Sequence, residues 1–256
     1  MEQTLSHHGK LRGPAASRER PFLALLNAAL LLVLITSVVT SQLFLSSAAR
    51  VMHLGPMLNL TAQNRSGTPK LSGNAADDAM AMVVLRGVPA VYGSELNVSF
   101  DQVEASMNTL KAFDPTYGAR PINLVDAALQ RYIAIGLKIA CEYCCGAKTL
   151  VNTDGRAACG CAHSQAMRGL LAYLIQNHGS EYSDDELLQA MARWKGMFFP
   201  RQMIAKLSAN LTGQSAFTPD TAALVLNVKL PRYGGTAAAA PSPTQVQNLP
   251  NMVGGC

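Results

Sequence analysis

Five of the chain's six cysteines lie between Cys141 and Cys161, and a histidine, His163, follows two residues later. Thiolate sulfur and imidazole nitrogen are the donors that soft and borderline transition metals select, so this stretch points first to metal ligation. Cys141, Cys144 and Cys145 are spaced i, i+3 and i+4, and a helix running through them would carry all three sulfurs on one face. Cys159, Cys161 and His163 are spaced by two, which aligns them on one face of an extended chain. Tetrahedral zinc takes four such donors, with sulfur at about 2.3 Å. Cys141, Cys144, Cys161 and His163 form a minimum set, with Cys145 and Cys159 as rivals. Six donors also leave room for more than one soft ion. Zinc and copper lead, with an iron–sulfur cluster behind them. Met167, one helical turn after His163, offers copper a thioether, but it also belongs to an apolar stripe.

Two other chemistries use the same residues. An oxidising compartment would favour disulfides. Cys144 and Cys145 are adjacent, however, and a bridge between neighbours strains the peptide joining them. One cysteine of the five would also be left over unless it pairs with Cys256 or with another chain. Thiol–disulfide exchange is the alternative enzyme class, through Cys141 and Cys144, which have redox-motif spacing, or through Cys144 and Cys145, since Lys138, Lys148 and Arg156 can lower a thiol pKa. No thioredoxin-like βαβ pattern surrounds them. Neither a Ser-His-Asp set, a phosphate-binding loop nor a paired-carboxylate signature occurs, so no catalytic residue is assigned.

The flanking elements must bring the two donor blocks together. Lys148-Thr-Leu-Val151 leads into Asn152-Thr-Asp-Gly155, which reads as a β-hairpin folding the second block beside the first. After His163, the residues Met167, Leu170, Leu171, Leu174 and Ile175 give a helix one apolar face, and Gly179 closes it. Ser183-Asp-Asp-Glu186 is a capping box for a helix bearing Leu187, Met191, Trp194 and Phe198, stopped by Pro200. Ser99 to Gln102 fits a second capping box, and Asn123 starts a helix through Ile133. His178, at a helix end, suits a cap or core role.

The segments CEYCCGAK, ACGCAHSQAMRGLLAYLI and ARWKGMFFP resemble an uncharacterised family of small membrane-anchored prokaryotic proteins, over roughly residues 80–212. A second likeness is to the extracytoplasmic lipoproteins named for a PCYCGC motif. It is carried by Ala158-Cys-Gly-Cys161 alone, without that motif's tyrosine. Neither resemblance implies an activity.

The remainder of the chain sets the expected context. Residues 21–46 contain no charged side chain, long enough for the roughly 20 apolar residues of a membrane span. Lys10, Arg12, Arg18 and Arg20 precede them, which predicts a single-pass signal anchor with a cytoplasmic tail (1–20) and an extracytoplasmic domain at the cell membrane. Sequons at Asn59, Asn64, Asn97 and Asn210 lie on the outer side of that anchor. A linker (47–79), a Cys-cluster domain (80–212), a short extension (213–233) and a disordered tail (234–256) complete the division. The net charge of +5 in 256 residues is no nucleic-acid signature, and no protein partner is specified. The expected fold is mostly α, formally α+β: a transmembrane helix followed by a small helical domain with a cysteine knuckle and a β-hairpin. The expected function is metal binding for sequestration, sensing or delivery. Thiol–disulfide exchange, and a binding domain stapled by zinc or disulfides, stand as alternatives.

Overall fold

The computed structural model describes Leu25 and residues 29–32, 70–233 and 246–255. The chain divides into Met1–Leu58 and Asn59–Cys256. In the first unit the described residues are helical with exposed side chains. The second unit carries the helices α1 (Ala75–Val83), α2 (Gly93–Leu96), α3 (Val103–Lys111), α4 (Asp126–Gly136), α5 (Ala162–His178), α6 (Asp184–Phe198), α7 (Pro200–Leu211) and α8 (Pro219–Leu224).

Helix α5 forms the centre. Its apolar stripe, Met167, Leu170, Leu171, Leu174 and Ile175, is buried, and each such side chain contributes roughly 1.5–3 kcal/mol relative to exposure. It packs against α3, α4 and α6, while α1 lies on α7 and α8 on α6. The α3–α5 crossing is close enough that a Cβ at Gly169 would run into the Leu110 carbonyl. Ser183 and Glu186 form the reciprocal cap of α6, as their spacing predicts. At α3 the expected cap shifts. The helix starts three residues later, with Gln102 at the cap position, and the Ser99 backbone instead exchanges two hydrogen bonds with the Ser106 hydroxyl.

Two expectations are corrected. No strand occurs among the described residues, so the α+β assignment and its β-hairpin give way to an all-helical domain. The Asp154-Gly155 turn does form, with Gly155 at φ 83, but pairing stops at one antiparallel bridge between Val151 and Ala157. The reason is local. Leu150 and Val151 are both fully buried rather than alternating in and out. The Leu150 carbonyl still accepts from the Ala158 N–H, but the Leu150 N–H donates to the Gly136 carbonyl at 2.9 Å, and the Cys159 carbonyl accepts from Arg168. Secondly, no helix among the described residues is long and apolar enough to cross a membrane, and the anchor expected over 21–46 is not seen. That stretch lies outside the described residues except for Leu25 and residues 29–32. Helix α5 has 17 residues, about 26 Å at 1.5 Å per residue, and carries buried Arg168 and His163. Helix α1, starting at Ala75, falls partly within the expected linker, and the described part of the tail packs on the domain: Val246 and Leu249 sit against the core.

Candidate metal centre

Four sulfurs converge where the two blocks meet. The Sγ atoms of Cys141, Cys145, Cys159 and Cys161 all lie within 4.8 Å of one another. Cys141 Sγ is 3.5 Å from Cys161 Sγ and 3.7 Å from Cys145 Sγ. Tetrahedral zinc–thiolate geometry requires sulfurs about 3.8 Å apart, so these spacings suit a metal. A second group, Cys144, Cys161 and His163, meets the same 4.8 Å condition and shares Cys161 with the first. All six residues singled out by spacing therefore fall into two overlapping donor sets.

The first block does not ride on a helix. Helix α4 ends at Gly136, and Tyr143, Cys144 and Cys145 lie in a turn. Glu142 adopts a left-handed φ of 64° and Gly146 one of 70°, a conformation that is costly for a residue with a Cβ. Distant contacts hold it there. The Glu142 carboxylate accepts from Lys195 Nζ at 2.7 Å and from Lys206 Nζ at 3.0 Å, and Asp220 accepts from the same two ammonium groups at 2.6 and 3.1 Å. Burial pushes the Asp220 and Glu142 carboxyls up, but Lys195 foremost overcomes it and holds both below the usual carboxylate range. Lys138 and Lys148 line the cleft beside this network, while Arg156 pairs with exposed Asp154.

The second block enters α5. Cys161 is its N-cap, and Sγ accepts from the Ser164 N–H at 3.4 Å. The hydrogen bond from the Cys141 thiol, followed by the amide of Ser164, lowers the Cys161 pKa from the ordinary thiol value to about 5. The same Cys141–Cys161 bond, together with burial, pushes the Cys141 thiol up. Arg168, with its side chain fully buried, fixes the approach to this block. It donates to Asp114 through Nε at 2.9 Å and Nη2 at 2.7 Å, and Nη1 donates to the Cys159 carbonyl at 2.8 Å.

The cluster is oxidised in part. Cys145 and Cys159 form a disulfide, Cys144 is disulfide-bonded as well, and Cys141 and Cys161 are thiols. His163 is fully buried between Phe198 and Phe199, with Nε2 2.8 Å from the Val253 carbonyl oxygen and Nδ1 without a hydrogen-bond partner. A buried imidazole nitrogen left open beside the Cys161 thiol fits a metal ligand.

Comparison with family models, curated proteins and solved structures finds no match. The site therefore stands on its own geometry. A cysteine cluster with His163 that can hold a metal ion is what that geometry provides.

Several residues around the site carry little sequence signal. Arg168 sits within an apolar stripe, Asp114 in a loop, and Glu142 between two cysteines, so charge pattern alone does not show that they are partners of buried groups. Met167 is buried in the core with its leucine neighbours. His178 bonds Glu95 and Glu181 at 2.9 and 3.0 Å, away from the cluster residues.

Proposed function

We propose that this domain binds a soft or borderline transition metal, zinc or copper, for sequestration, sensing or delivery, and that it does so with its cluster reduced. The observation that carries this reading is the convergence of four cysteine sulfurs within 4.8 Å, two of their separations being those of a tetrahedral thiolate site. The disulfide and the metal compete for the same sulfurs. A dithiol reductant gives two electrons and two protons to Cys145–Cys159 and becomes a disulfide itself, and a second equivalent does the same for the disulfide that Cys144 makes. The freed thiols then lose their protons to the medium as the metal binds. Metal analysis of the reduced, anaerobically purified protein tests this: about one or more ions per chain is expected, lost on Cys161→Ser.

A second reading is favoured by one observation, the Cys161 thiolate at a helix N-terminus beside the Cys141 thiol. In thiol–disulfide exchange, the Cys161 thiolate would attack a substrate disulfide, forming a mixed disulfide and expelling a substrate thiolate. Cys141 would then attack that mixed disulfide, leaving a Cys141–Cys161 bridge and reduced substrate. Cys141→Ser traps the mixed disulfide if this reading holds. A metal-free protein that accumulates such an adduct would displace the metal reading.

A further inference from the structure

Residues 246–255 lie along the domain as a strap with its own seat. Arg201 donates to the carbonyls of Leu249 and Gln247 and, at 3.3 Å, to Asn251 Oδ1. The Val253 N–H donates to the carbonyl of Phe198, the last residue of α6, at 2.9 Å, so the strap satisfies a carbonyl that a helix end leaves open. Gly254 follows at φ +78, where a Cβ would run into the Met107 side chain. Between those contacts the Val253 carbonyl meets His163 Nε2 at 2.8 Å.

A carbonyl oxygen only accepts, so Nε2 must carry the hydrogen. In the neutral ring, Nδ1 then holds the lone pair. That atom is buried and unpartnered, and a His163 ring nitrogen lies within 4.8 Å of the Cys144 and Cys161 sulfurs. Metal-bound histidines generally donate their second ring N–H to a carbonyl or carboxylate, which fixes the tautomer and orients the ring.

We propose that the C-terminal strap is a working part of the metal centre: the Val253 carbonyl takes the Nε2 hydrogen and presents His163 Nδ1 to a metal shared with Cys161 and Cys144. This inference rests on the metal-binding reading above. Val253 is a positioning residue. The strap makes the Cys144–Cys161–His163 set competent, while the four-cysteine set does not need it.

The test uses the full chain, reduced and anaerobic, with zinc as the probe. Long-range ¹H–¹⁵N spectra of the metal-free protein should show His163 as the Nε2–H tautomer, and zinc should shift Nδ1. Gly254→Val, which is strained at φ +78 and crowds the Met107 side chain, and Arg201→Ala, which removes the strap's clamp, should each weaken zinc at the histidine-containing set by roughly 10–100-fold. In a His163→Ala background neither should have any further effect. Thermal melts confirm that the variants fold, and the tautomer measurement on the unaltered chain needs no variant. An Nδ1–H tautomer, or equal zinc affinity with and without the strap contacts, overturns the inference while leaving metal binding intact. A full chain that takes up no zinc removes the metal reading itself, and this inference with it.

Discussion

The two cysteine blocks are built by opposite means. Cys159, Cys161 and His163 lead into the longest described helix, whose N-terminus and amides favour a thiolate at Cys161. Cys141, Cys144 and Cys145 sit in irregular backbone, shaped by a left-handed Glu142 that two lysines hold from other helices. Cys141 and Cys161 therefore carry the same side chain 3.5 Å apart, yet their surroundings push their pKa values in opposite directions. A donor cluster is set less by the spacing of its cysteines than by the two frameworks that face each other across it.

The largest effect should come from breaking the helical framework. Arg168→Met leaves Asp114 buried and unpaired and frees the Cys159 carbonyl. A loss of about 3–5 kcal/mol is expected from an uncompensated buried charge, read by thermal or denaturant unfolding. An unchanged melting temperature would mean that Arg168 does not hold the second block.

The next prediction sharpens the asymmetry between the thiols. In protein free of metal, iodoacetamide should label Cys161 roughly tenfold or more faster than Cys141 at pH 7. Labelling of Cys161 should persist down to about pH 5. The Cys161 pKa is depressed on folding, so its contribution to stability is complete above the unfolded thiol value near 9 and fades as pH falls towards 5. Equal labelling of both cysteines would erase the distinction.

A smaller effect is expected in the irregular block. Glu142→Gln removes a carboxylate shared by Lys195 and Lys206 while leaving them Asp220, which should cost about 1–2 kcal/mol and loosen metal held through Cys141 and Cys145. Because Glu142 and Asp220 have depressed pKa values, their stabilisation holds above the ordinary carboxylate value and is lost as pH falls below about 4. The smallest effect belongs to His178. Burial opposes its charge, but Glu181 and Glu95 raise its pKa above 6.5. Its contribution is therefore present below pH 6.5 and declines as pH rises through the raised value. His178→Gln should remove that slope and leave zinc binding unaltered.

That five cysteines and His163 gather in one cluster was legible in the sequence because cysteine density and spacing are local properties. The helices after His163 were legible too, since their apolar periods and the Ser183–Glu186 cap lie within single segments. What the sequence could not show was long-range. Asp114 and Arg168 are 54 positions apart, Glu142 and Lys195 are 53 apart, and Val253 meets His163 across 90 residues. The hairpin expectation failed because turn chemistry at Asp154-Gly155 says nothing about the partners of the flanking peptides: the Leu150 N–H donates to Gly136, and the Cys159 carbonyl accepts from Arg168. Sequons mislead in the same way. Asn210 is buried, with its amide donating to Ser215 and Ala216, whereas Asn97 is exposed at the end of α2. Asn59 and Asn64 lie outside the described residues.

Metal content against redox state tests the central claim most directly. The full chain is purified anaerobically, divided into reduced and oxidised portions, equilibrated with zinc, and assayed for bound ion and for sulfur ligation by X-ray absorption. The reduced protein should hold about one or more zinc ions per chain in a sulfur-rich shell. The oxidised protein should hold far less, because Cys145 and Cys159 are then bonded to each other. Reduced protein that stays free of metal, or metal bound without sulfur in its shell, would contradict the account.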